Sequence, residues 1–499
     1  MKRLKKNITL LFTIFMFTLL TSCTSEEGGI NDYINNNTTP TNSYEKLHED
    51  VELPFTGDLA QLYEFLWLDN RDRGWERDIV YFAQSILRNH PLLNPQANHR
   101  LTRGNSSYRT LLNLALARNE IPITGTDDYD IEALRVYFIC RVNALILDIP
   151  ERSDYEIKYG IAEISALLAD LHTSVMIAPV DIFPFRFIAL YDGIYCISAP
   201  IELEKILYRR LISINGIEVD EIIERFSRVV SHENEYRLRH RVAHIYLSYG
   251  CMLRYIDVAT PTGTTVFTFS YCDYETICVE VMPLYIGSLP NIESVFYYHE
   301  IATIQHCFAD TTLMHLHYSK DFWFYYFADC NMVYARIRSF ERFHATEGDL
   351  FEAINEFNET VNNLTQYEKV GVVIIDLRGN PGGQEWHLNP ALLDSDKVGT
   401  IYVLVDGASV SASIVAASTL RHSRTGVYVV GEPAGQPESF FAFGGSGRSL
   451  PISGLRFRIS NRLFSISDCD YIALKPDILI FRTINDIIYS HDPVLEALK

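Results

Sequence analysis

The stretch of sequence that decides the fold is Val372-Val373-Ile374-Ile375-Asp376-Leu377-Arg378-Gly379-Asn380-Pro381-Gly382-Gly383. Its apolar first half predicts a buried strand, and the glycines behind it predict a tight turn at the carboxyl end of that strand. Pro381 has the φ that the second position of a type II turn needs, and Gly382 tolerates the positive φ of the third. Because glycines let another backbone or a carbonyl group approach closely, the N–H groups of Gly382 and Gly383 are candidate donors to an oxyanion.

A second segment, Ser409-Val410-Ser411-Ala412-Ser413, supplies a candidate nucleophile. Ser411 stands in the middle of it, at the predicted start of a helix, where the N–H of Ala412 can point at an oxyanion. A serine at such a place also commonly caps its helix, so both roles are open for Ser411. Since a free serine hydroxyl is a weak nucleophile, the catalytic role requires a base elsewhere in the chain.

Together these segments resemble the tail-specific, or C-terminal processing, serine peptidases of the S41 family. The family pattern Asp-Leu-Arg-x-Asn-x-Gly-Gly is matched at 376–383, its Ser-rich turn at 406–413 and its Gly-Glu-Pro segment at 431–433. The resemblance implies an α/β (multi-domain α+β) fold. This fold has a ClpP/crotonase-like βα core, an N-terminal helical domain and a reduced PDZ-like β-rich module. It also implies a serine-type peptidase that acts on proteins or peptides without a cofactor.

The general base departs from that of the best-known family members, which carry a lysine where this chain has Gln436. A carboxamide has no usable basicity. However, Asp170-Leu171-His172-Thr173 is similar to the Asp-x-His-Thr segment of the tricorn-like branch of the family, whose base is this histidine. The resemblance therefore implies that His172 is the base and that Asp470 orients it, with Asp468 close by as an alternative. A helix-end histidine bonded to nearby backbone is the other open interpretation of His172.

The first residues predict export and a lipid anchor. Basic residues at 2–6 precede an apolar run at 8–20 that is too short to span a bilayer, and Leu20-Thr21-Ser22-Cys23 follows. This pattern resembles a bacterial lipoprotein signal, in which Cys23 becomes the lipidated first residue; an ordinary signal peptide or a membrane anchor is the alternative. We therefore expect an outer-membrane lipoprotein of the bacterial cell envelope, either periplasmic or surface-exposed, that contacts the membrane through its lipid anchor.

The composition along the chain and the family resemblance together predict five segments. Residues 1–23 are the lipoprotein signal, and 24–55, which are rich in Asn, Thr and Pro, form a flexible tether. Residues 56–182 are expected to form the helical domain, 183–285 the PDZ-like module and 286–499 the peptidase core. Strands and helices alternate in this last segment, which predicts a largely parallel sheet with its site at the carboxyl ends of the strands.

The overall composition excludes some partners and leaves others open. The net charge of −20 and the isoelectric point near 5.2 argue against nucleic acid as a partner. The other cysteines form no Cys-x-x-Cys pair and the histidines have no zinc spacing, so we predict no metal site; disulfides and buried free thiols both remain open.

Two further functions were weighed against the peptidase. A pseudopeptidase would keep the fold and bind peptides without cutting them, as Gln436 and Ala434 suggest, because relatives usually have lysine and threonine there. A surface glycan-binding lipoprotein is a weaker alternative, based on the 30 Tyr and 28 Phe residues of an acidic, tethered chain. Aromatic side chains more often fill protein cores.

Overall fold

The computed structural model describes ten ranges of the chain. They are residues 74–94, 105–260, 263–270, 275–286, 322–340, 350–383, 390–442, 444, 447–467 and 472–498. The predicted signal with Cys23, the predicted tether, and Asp470 with Asp468 all lie outside these residues.

The described chain begins with a bundle of helices. They are α1 (Gly74–Asn89), α2 (Ser106–Arg118), α3 (Asp127–Leu147) and α4 (Asp154–Ala166). A capping box starts α4: the Ser153 side chain accepts the N–H of Glu156, and the Glu156 carboxylate accepts the N–H of Ser153. Apolar side chains from all four helices meet in one core, to which the later residues Phe441, Phe457 and Leu463 also contribute. The helical part thus shares its core with residues that the sequence assigned to the peptidase core.

The middle of the chain is rich in short strands. The strands are β1 (Ser174–Met176), β2 (Asp181–Ile182), β3 (Arg186–Leu190), β4 (Gly193–Ser198), β5 (Leu211–Ile214), β6 (Ile217–Glu218), β7 (Thr265–Ser270), β8 (Thr276–Val281) and β9 (Leu284–Tyr285). The helices are α5 (Val219–Ser227), α6 (Glu235–His244) and α7 (Gly250–Tyr255). Four strands form an antiparallel sheet in the order β6-β5-β7-β8. Asn215 and Gly216 join β5 to β6 with φ values of 49° and 77°, as a two-residue hairpin turn requires.

The C-terminal part adds a six-stranded sheet and a group of small strands. Its strands are β10 (Phe322–Phe327), β11 (Met332–Ile337), β12 (Val370–Asp376), β13 (Val398–Val405), β14 (Val427–Gly431), β15 (Ser439–Ala442), β16 (Arg448–Ser449), β17 (Arg456–Arg458), β18 (Arg462–Ser465) and β19 (Ile478–Leu479). Its helices are α8 (Leu350–Tyr367), α9 (Ala412–Ser423), α10 (Ile484–Ile488) and α11 (Pro493–Glu496).

The large sheet has the order β10-β11-β12-β13-β14-β19, and all of its pairs except β10 with β11 are parallel. Strands buried on both faces read as continuous apolar runs, which is why β12 occupies the same 370–376 span that its sequence predicts. The expected α/β class is confirmed by this mixture of a parallel sheet and helices. After the glycine turn, residues 390–393 form one 3₁₀ turn.

A buried ion pair explains the Asp-Leu-Arg part of the glycine motif. The guanidinium of Arg378 donates to both carboxylate oxygens of Asp376, at 3.0 and 2.7 Å. It also donates to both oxygens of Asp492, at 3.0 and 2.9 Å, next to α11. The Tyr334 hydroxyl donates to the same Asp376 at 2.7 Å. The end of β12 is therefore clamped to the C-terminal helix by fully paired buried charges.

Small strands bring the helical part against the end of the large sheet. β1 begins just after Thr173 and pairs with β17, while β15 pairs with β18. The Thr173 hydroxyl oxygen accepts the N–H of Ser460 at 3.0 Å. As a result the segment at 170–173 lies beside β15, on the side of the sheet where the Ser-rich turn begins α9. Among the described cysteines, Cys196, Cys251, Cys278 and Cys330 are free thiols.

Candidate active site

Ser411 has a strained backbone. It precedes α9 with φ 61° and ψ −124°, and its side chain makes no capping hydrogen bond to the helix. A residue other than glycine in such a conformation costs about 1–3 kcal/mol, and strain of this kind clusters at catalytic sites. A sharp turn between a strand and a helix, here between β13 and α9, is also the geometry that exposes a nucleophilic serine. The side chain of Ser411 therefore does not cap the helix, which is one of the two roles that the sequence left open.

The hydroxyls of the neighbouring serines donate hydrogen bonds to backbone carbonyls. Ser409 Oγ donates to the Leu377 carbonyl at 2.8 Å, and Ser413 Oγ donates to the Val410 carbonyl at 2.7 Å. Both serines are fully buried. Of the three serines in the segment, Ser411 is the one whose hydroxyl leaves the turn.

The glycine turn lies directly against Ser411. Gly382 has φ 90°, and a Cβ added there would stand 2.5 Å from Ser411 Cβ and 2.9 Å from Ala412 N. The N–H of Gly382 donates to Asn380 Oδ1 at 2.7 Å, so it is engaged within the turn. In the described part of the chain no acceptor takes the N–H of Gly383 or Ala412. Gly382 therefore serves close approach rather than donation, and Gly383 and Ala412 are the N–H groups available to an oxyanion.

Asp406 ties the glycine turn to the Ser-rich turn. Its Oδ1 accepts the N–H of Gly379 at 2.9 Å and that of Ala408 at 3.0 Å. The Asn380 carbonyl accepts the N–H of Val410 at 3.1 Å. The bonds of Gly379 and Val410 cross between the two segments, so the turn that carries the strained Ser411 is tied to the glycine turn.

His172 faces Ser411. Its Nε2 lies 3.0 Å from Ser411 Oγ, within hydrogen-bond reach. The ring stacks on Phe440 of β15, with centroids 5.7 Å apart and an angle of 15° between the planes. The side chain is 17% exposed, which leaves the imidazole open to a substrate on one side. The structure thus brings together two of the predicted catalytic residues.

Asp170 and His90 hold the segment that carries His172. Asp170 Oδ1 accepts the N–H of His172 at 3.0 Å and lies 4.0 Å from His172 Nδ1. The N–H of Leu92 donates to His90 Nδ1 at 3.2 Å, so a neutral His90 carries its proton on Nε2 and donates it to Asp170 Oδ2 at 3.1 Å. Asp170 and His90 are both fully buried. The motif with His172 contained the signal for Asp170, although the sequence gave this aspartate no role.

The electrostatics of the site favour a neutral His172. Burial lowers the pKa of His172 and outweighs the Asp170 carboxylate and the Phe441 carbonyl, which act to raise it. Burial acts to raise the pKa of Asp170, but the hydrogen bond from His90 and the nearby His172 bring it below the ordinary value. The site therefore contains an ionised Asp170 beside an imidazole that is a free base at neutral pH.

We expect the lowered pKa of His172 to set the acid limb of the pH profile. Protonated imidazole cannot accept a proton, so kcat/KM should fall as pH drops through that pKa, with a midpoint below the ordinary value of 6.5. Peptide hydrolysis measured between pH 4 and pH 8, roughly the range in which histidine titrates, checks this. Circular dichroism at each pH must first show that the fold is intact. A midpoint clearly above the ordinary histidine value would contradict the burial argument.

Gln436 and Glu233 complete the surroundings of Ser411. Gln436 Oε1 accepts the N–H of Ser411 at 2.6 Å, and Gln436 Nε2 donates to Glu233 Oε1 at 2.6 Å. The same Nε2 lies 3.5 Å from His172 Nδ1, too long for a strong hydrogen bond. Burial first, and then the charge of Asp170, raise the pKa of Glu233 to about 8, so this carboxyl group is largely neutral at pH 7. The sequence offered no signal for Glu233, which lies in no motif, and it marked Gln436 only as a missing lysine.

Asp170, His172 and Glu233 are the described residues whose spacing could hold a metal ion. Their ligand-type atoms all lie within 4.8 Å of one another. However, both oxygens of Asp170 already accept N–H groups, and Glu233 Oε1 accepts Gln436. The arrangement is a hydrogen-bonded network that serves His172 and Ser411.

Similarity to known proteins was sought at the level of sequence and of structure. No family model matches the sequence, and no curated protein matches it. Mature CPAF superposes with a TM-score of 0.47 and 12% identity, covering 79% of this chain and 96% of that one. The tricorn protease gives 0.32 and 12%, covering 79% and 36% respectively. A protein assigned as an S41 protease, from Bacteroides fragilis, gives 0.28 and 12%, covering 65% and 84%.

Two of these three proteins are named as proteases: the tricorn protease and the S41 protease from Bacteroides fragilis. The second carries the name of the family that the motifs of this chain resemble. All three TM-scores lie below 0.5. The chemistry of this chain therefore follows from the geometry of its own residues.

Proposed function

We propose that the protein is a serine peptidase that hydrolyses exported proteins or peptides, with Ser411 as nucleophile and His172 as general base. The observation that carries the proposal is the 3.0 Å contact between Ser411 Oγ and His172 Nε2, two residues separated by 239 positions. Neither side chain is needed there to cap a helix or to extend a sheet. A strained serine whose hydroxyl meets a neutral histidine has the arrangement of an activated nucleophile.

The reaction follows from this geometry. His172 Nε2 takes the proton from Ser411 Oγ as this oxygen attacks the carbonyl carbon of the scissile amide. The N–H groups of Ala412 and Gly383 receive the negative charge that develops on the carbonyl oxygen. The imidazolium then gives its proton to the leaving amine, which releases the amine and leaves an acyl ester on Ser411. With the same histidine as base, water hydrolyses this ester.

Asp170 supports the charged intermediate state of His172. Its carboxylate lies 4.0 Å from His172 Nδ1 and opposes the desolvation that would otherwise disfavour the imidazolium. The family resemblance implies that Asp470 orients His172, and we also propose this residue, which lies outside the described residues. The acidic partner of His172 is therefore proposed at two positions, Asp170 and Asp470.

One experiment distinguishes the proposed peptidase from the pseudopeptidase alternative. The chain without its first 23 residues is incubated with a fluorophosphonate probe, and the labelled peptide is identified by mass spectrometry. We expect a single label on Ser411, together with cleavage of unfolded casein. Absence of both label and cleavage, in a protein that still binds casein, would overturn the peptidase and leave the pseudopeptidase.

We also propose that the peptidase is a lipoprotein of the cell envelope, anchored at Cys23. The basic start, the short apolar run and the cysteine at its end support this location. Among the residues that the structure describes, no helix has both the length and the apolar character to cross a bilayer.

Replacing Cys23 with serine is expected to move the protein from the membrane pellet to the soluble fraction, because the serine cannot take the thioether-linked lipid. Fractionation of envelope membranes and an immunoblot measure the change. The Ser411→Ala protein, whose signal is untouched, is the matched control and should stay in the pellet. If the Cys23→Ser protein remains in carbonate-washed membranes, the anchor lies elsewhere.

A further inference from the structure

The residue in the place of the family lysine is built into the nucleophile turn. Gln436 is fully buried, and its side-chain amide has partners on both sides. Its oxygen accepts the N–H of Ser411, and its nitrogen donates to Glu233, both at 2.6 Å. The amide thus forms a bridge between a buried carboxyl group and the backbone of the proposed nucleophile.

We propose that Gln436 and Glu233 are positioning residues which hold the Ser411 backbone in its strained conformation, and with it the Oγ and the following N–H in reactive geometry. This inference rests on the proposed function. It gives Gln436 a role that needs no basicity, in contrast to a lysine that takes the proton of the serine.

The direction of the Gln436 amide is fixed by its partners. A backbone N–H at Ser411 can only be met by the oxygen of the amide, so the nitrogen must face Glu233. Without an acceptor at Glu233, the amide nitrogen would lose its partner, and only the bond from the N–H of Ser411 would favour this orientation over the flipped one. Glu233 therefore acts through Gln436, as the acceptor that selects one of two amide orientations.

The bridge explains why Ser411 keeps a positive φ. The N–H of Ser411 points to Gln436 Oε1, away from its own helix, while φ is 61°. Relaxing φ to the helical region would turn this N–H away from the amide and leave a buried acceptor unpaired. Because Ala412 follows directly, the same backbone conformation places its N atom against the glycine turn, 2.9 Å from where a Cβ at Gly382 would stand.

The environment of Glu233 suits a neutral acceptor. The residue is 1% exposed, and its second oxygen, Oε2, has no hydrogen-bond partner in the described chain. A protonated Oε2 leaves Oε1 free to accept from Gln436 Nε2, so the bridge needs an oxygen at this place and not a charge. Glutamine at 233 would supply such an oxygen, whereas methionine has a similar size without an acceptor.

Four variants of the full mature chain test the inference. Gln436→Met and Glu233→Met remove the bridge with little change of volume, and Glu233→Gln restores an acceptor oxygen. Gln84→Met, which replaces another buried glutamine, in α1, is the matched control. For each variant, kcat and KM are measured with a peptide substrate, and crystal structures give the conformation of Ser411.

We expect Gln436→Met and Glu233→Met to lower kcat by about 10- to 100-fold with little change in KM, since small displacements of reacting groups cost that much. Glu233→Gln should recover most of the loss, and Gln84→Met should behave as wild type. In the crystal structures of the two methionine variants of the bridge, Ser411 should relax and its Oγ should leave His172 Nε2.

Two results would overturn the inference. One is an unchanged kcat and an unchanged Ser411 conformation in both bridge variants. The other is equal loss in Glu233→Gln and Glu233→Met, which would mean that the carboxyl group itself matters. If the wild type hydrolyses nothing, the proposed function fails, but the crystal structures still decide whether the bridge holds Ser411.

Discussion

Ser411→Ala is expected to abolish fluorophosphonate labelling and to lower kcat by a factor on the order of 10⁵ or more, the usual result when a serine nucleophile is removed. The residual rate would come from substrate binding and from the N–H groups of Gly383 and Ala412. The fold should survive, because the hydroxyl of Ser411 bonds to His172 and makes no bond within its own helix. Probe labelling, peptide hydrolysis and thermal unfolding of the same preparation measure the three effects.

A serine of the same helix provides the control. Ser418 is buried in α9, and its Oγ has no hydrogen-bond partner among the described residues. Ser418→Ala should therefore keep both the label and the activity. Equal labelling of Ser411→Ala and wild type would show that the nucleophile is another residue.

His172→Ala is expected to lower kcat/KM by a factor on the order of 10² to 10⁴, the contribution of a positioned general base. The alanine removes the imidazole that lies 3.0 Å from Ser411 Oγ, and no other described histidine contacts that hydroxyl. His422→Ala, which changes a half-exposed histidine of α9, should leave the rate unchanged.

A lysine at position 436 should not rescue the His172→Ala protein. Gln436 accepts the N–H of Ser411, and an ammonium group has no lone pair with which to do so. The double variant would also bury an ammonium next to the same N–H. Near-normal hydrolysis by His172→Ala would refute the tricorn-like assignment, and hydrolysis recovered in the double variant would refute the argument about position 436.

The large sheet was predictable because its strands are buried on both faces. Continuous apolar runs that end in glycine or aspartate mark such strands, and β12 lies where its sequence indicated. The turn before α9 was predictable for a similar reason, since glycine and serine have specific places in such turns. The positions of Ser411 and Ala412 followed from these local patterns.

Contacts between distant parts of the chain were not predictable in this way. The helical part completes its core with Phe441 and Phe457, which no periodicity within the helices could reveal. The domain limits drawn from composition remain predictions, and this shared core crosses the limit between the first domain and the last. Local patterns describe each element but contain no information about which remote element covers it.

Within the site, the sequence predicted least well the residues whose role depends on a hydrogen-bond partner. Glu233 has a role only because Gln436 folds against it, and the N–H of Gly382 is engaged only because Asn380 turns back toward it. Residue types alone would assign no function to Gln436, and they would assign the N–H of Gly382 to an oxyanion, although this N–H is engaged within the turn. In both cases a hydrogen bond, rather than the residue type, defines the role.

His172 and Ser411 are synthesised at different times, because they lie far apart in the sequence. His172 belongs to the segment after the helical bundle, and Ser411 follows 239 positions later, held by turns from the large sheet. An unfolded chain therefore carries a serine without a base. For the exported peptidase that we propose, hydrolysis would therefore begin only after folding, and the order of folding would confine proteolysis to its destination.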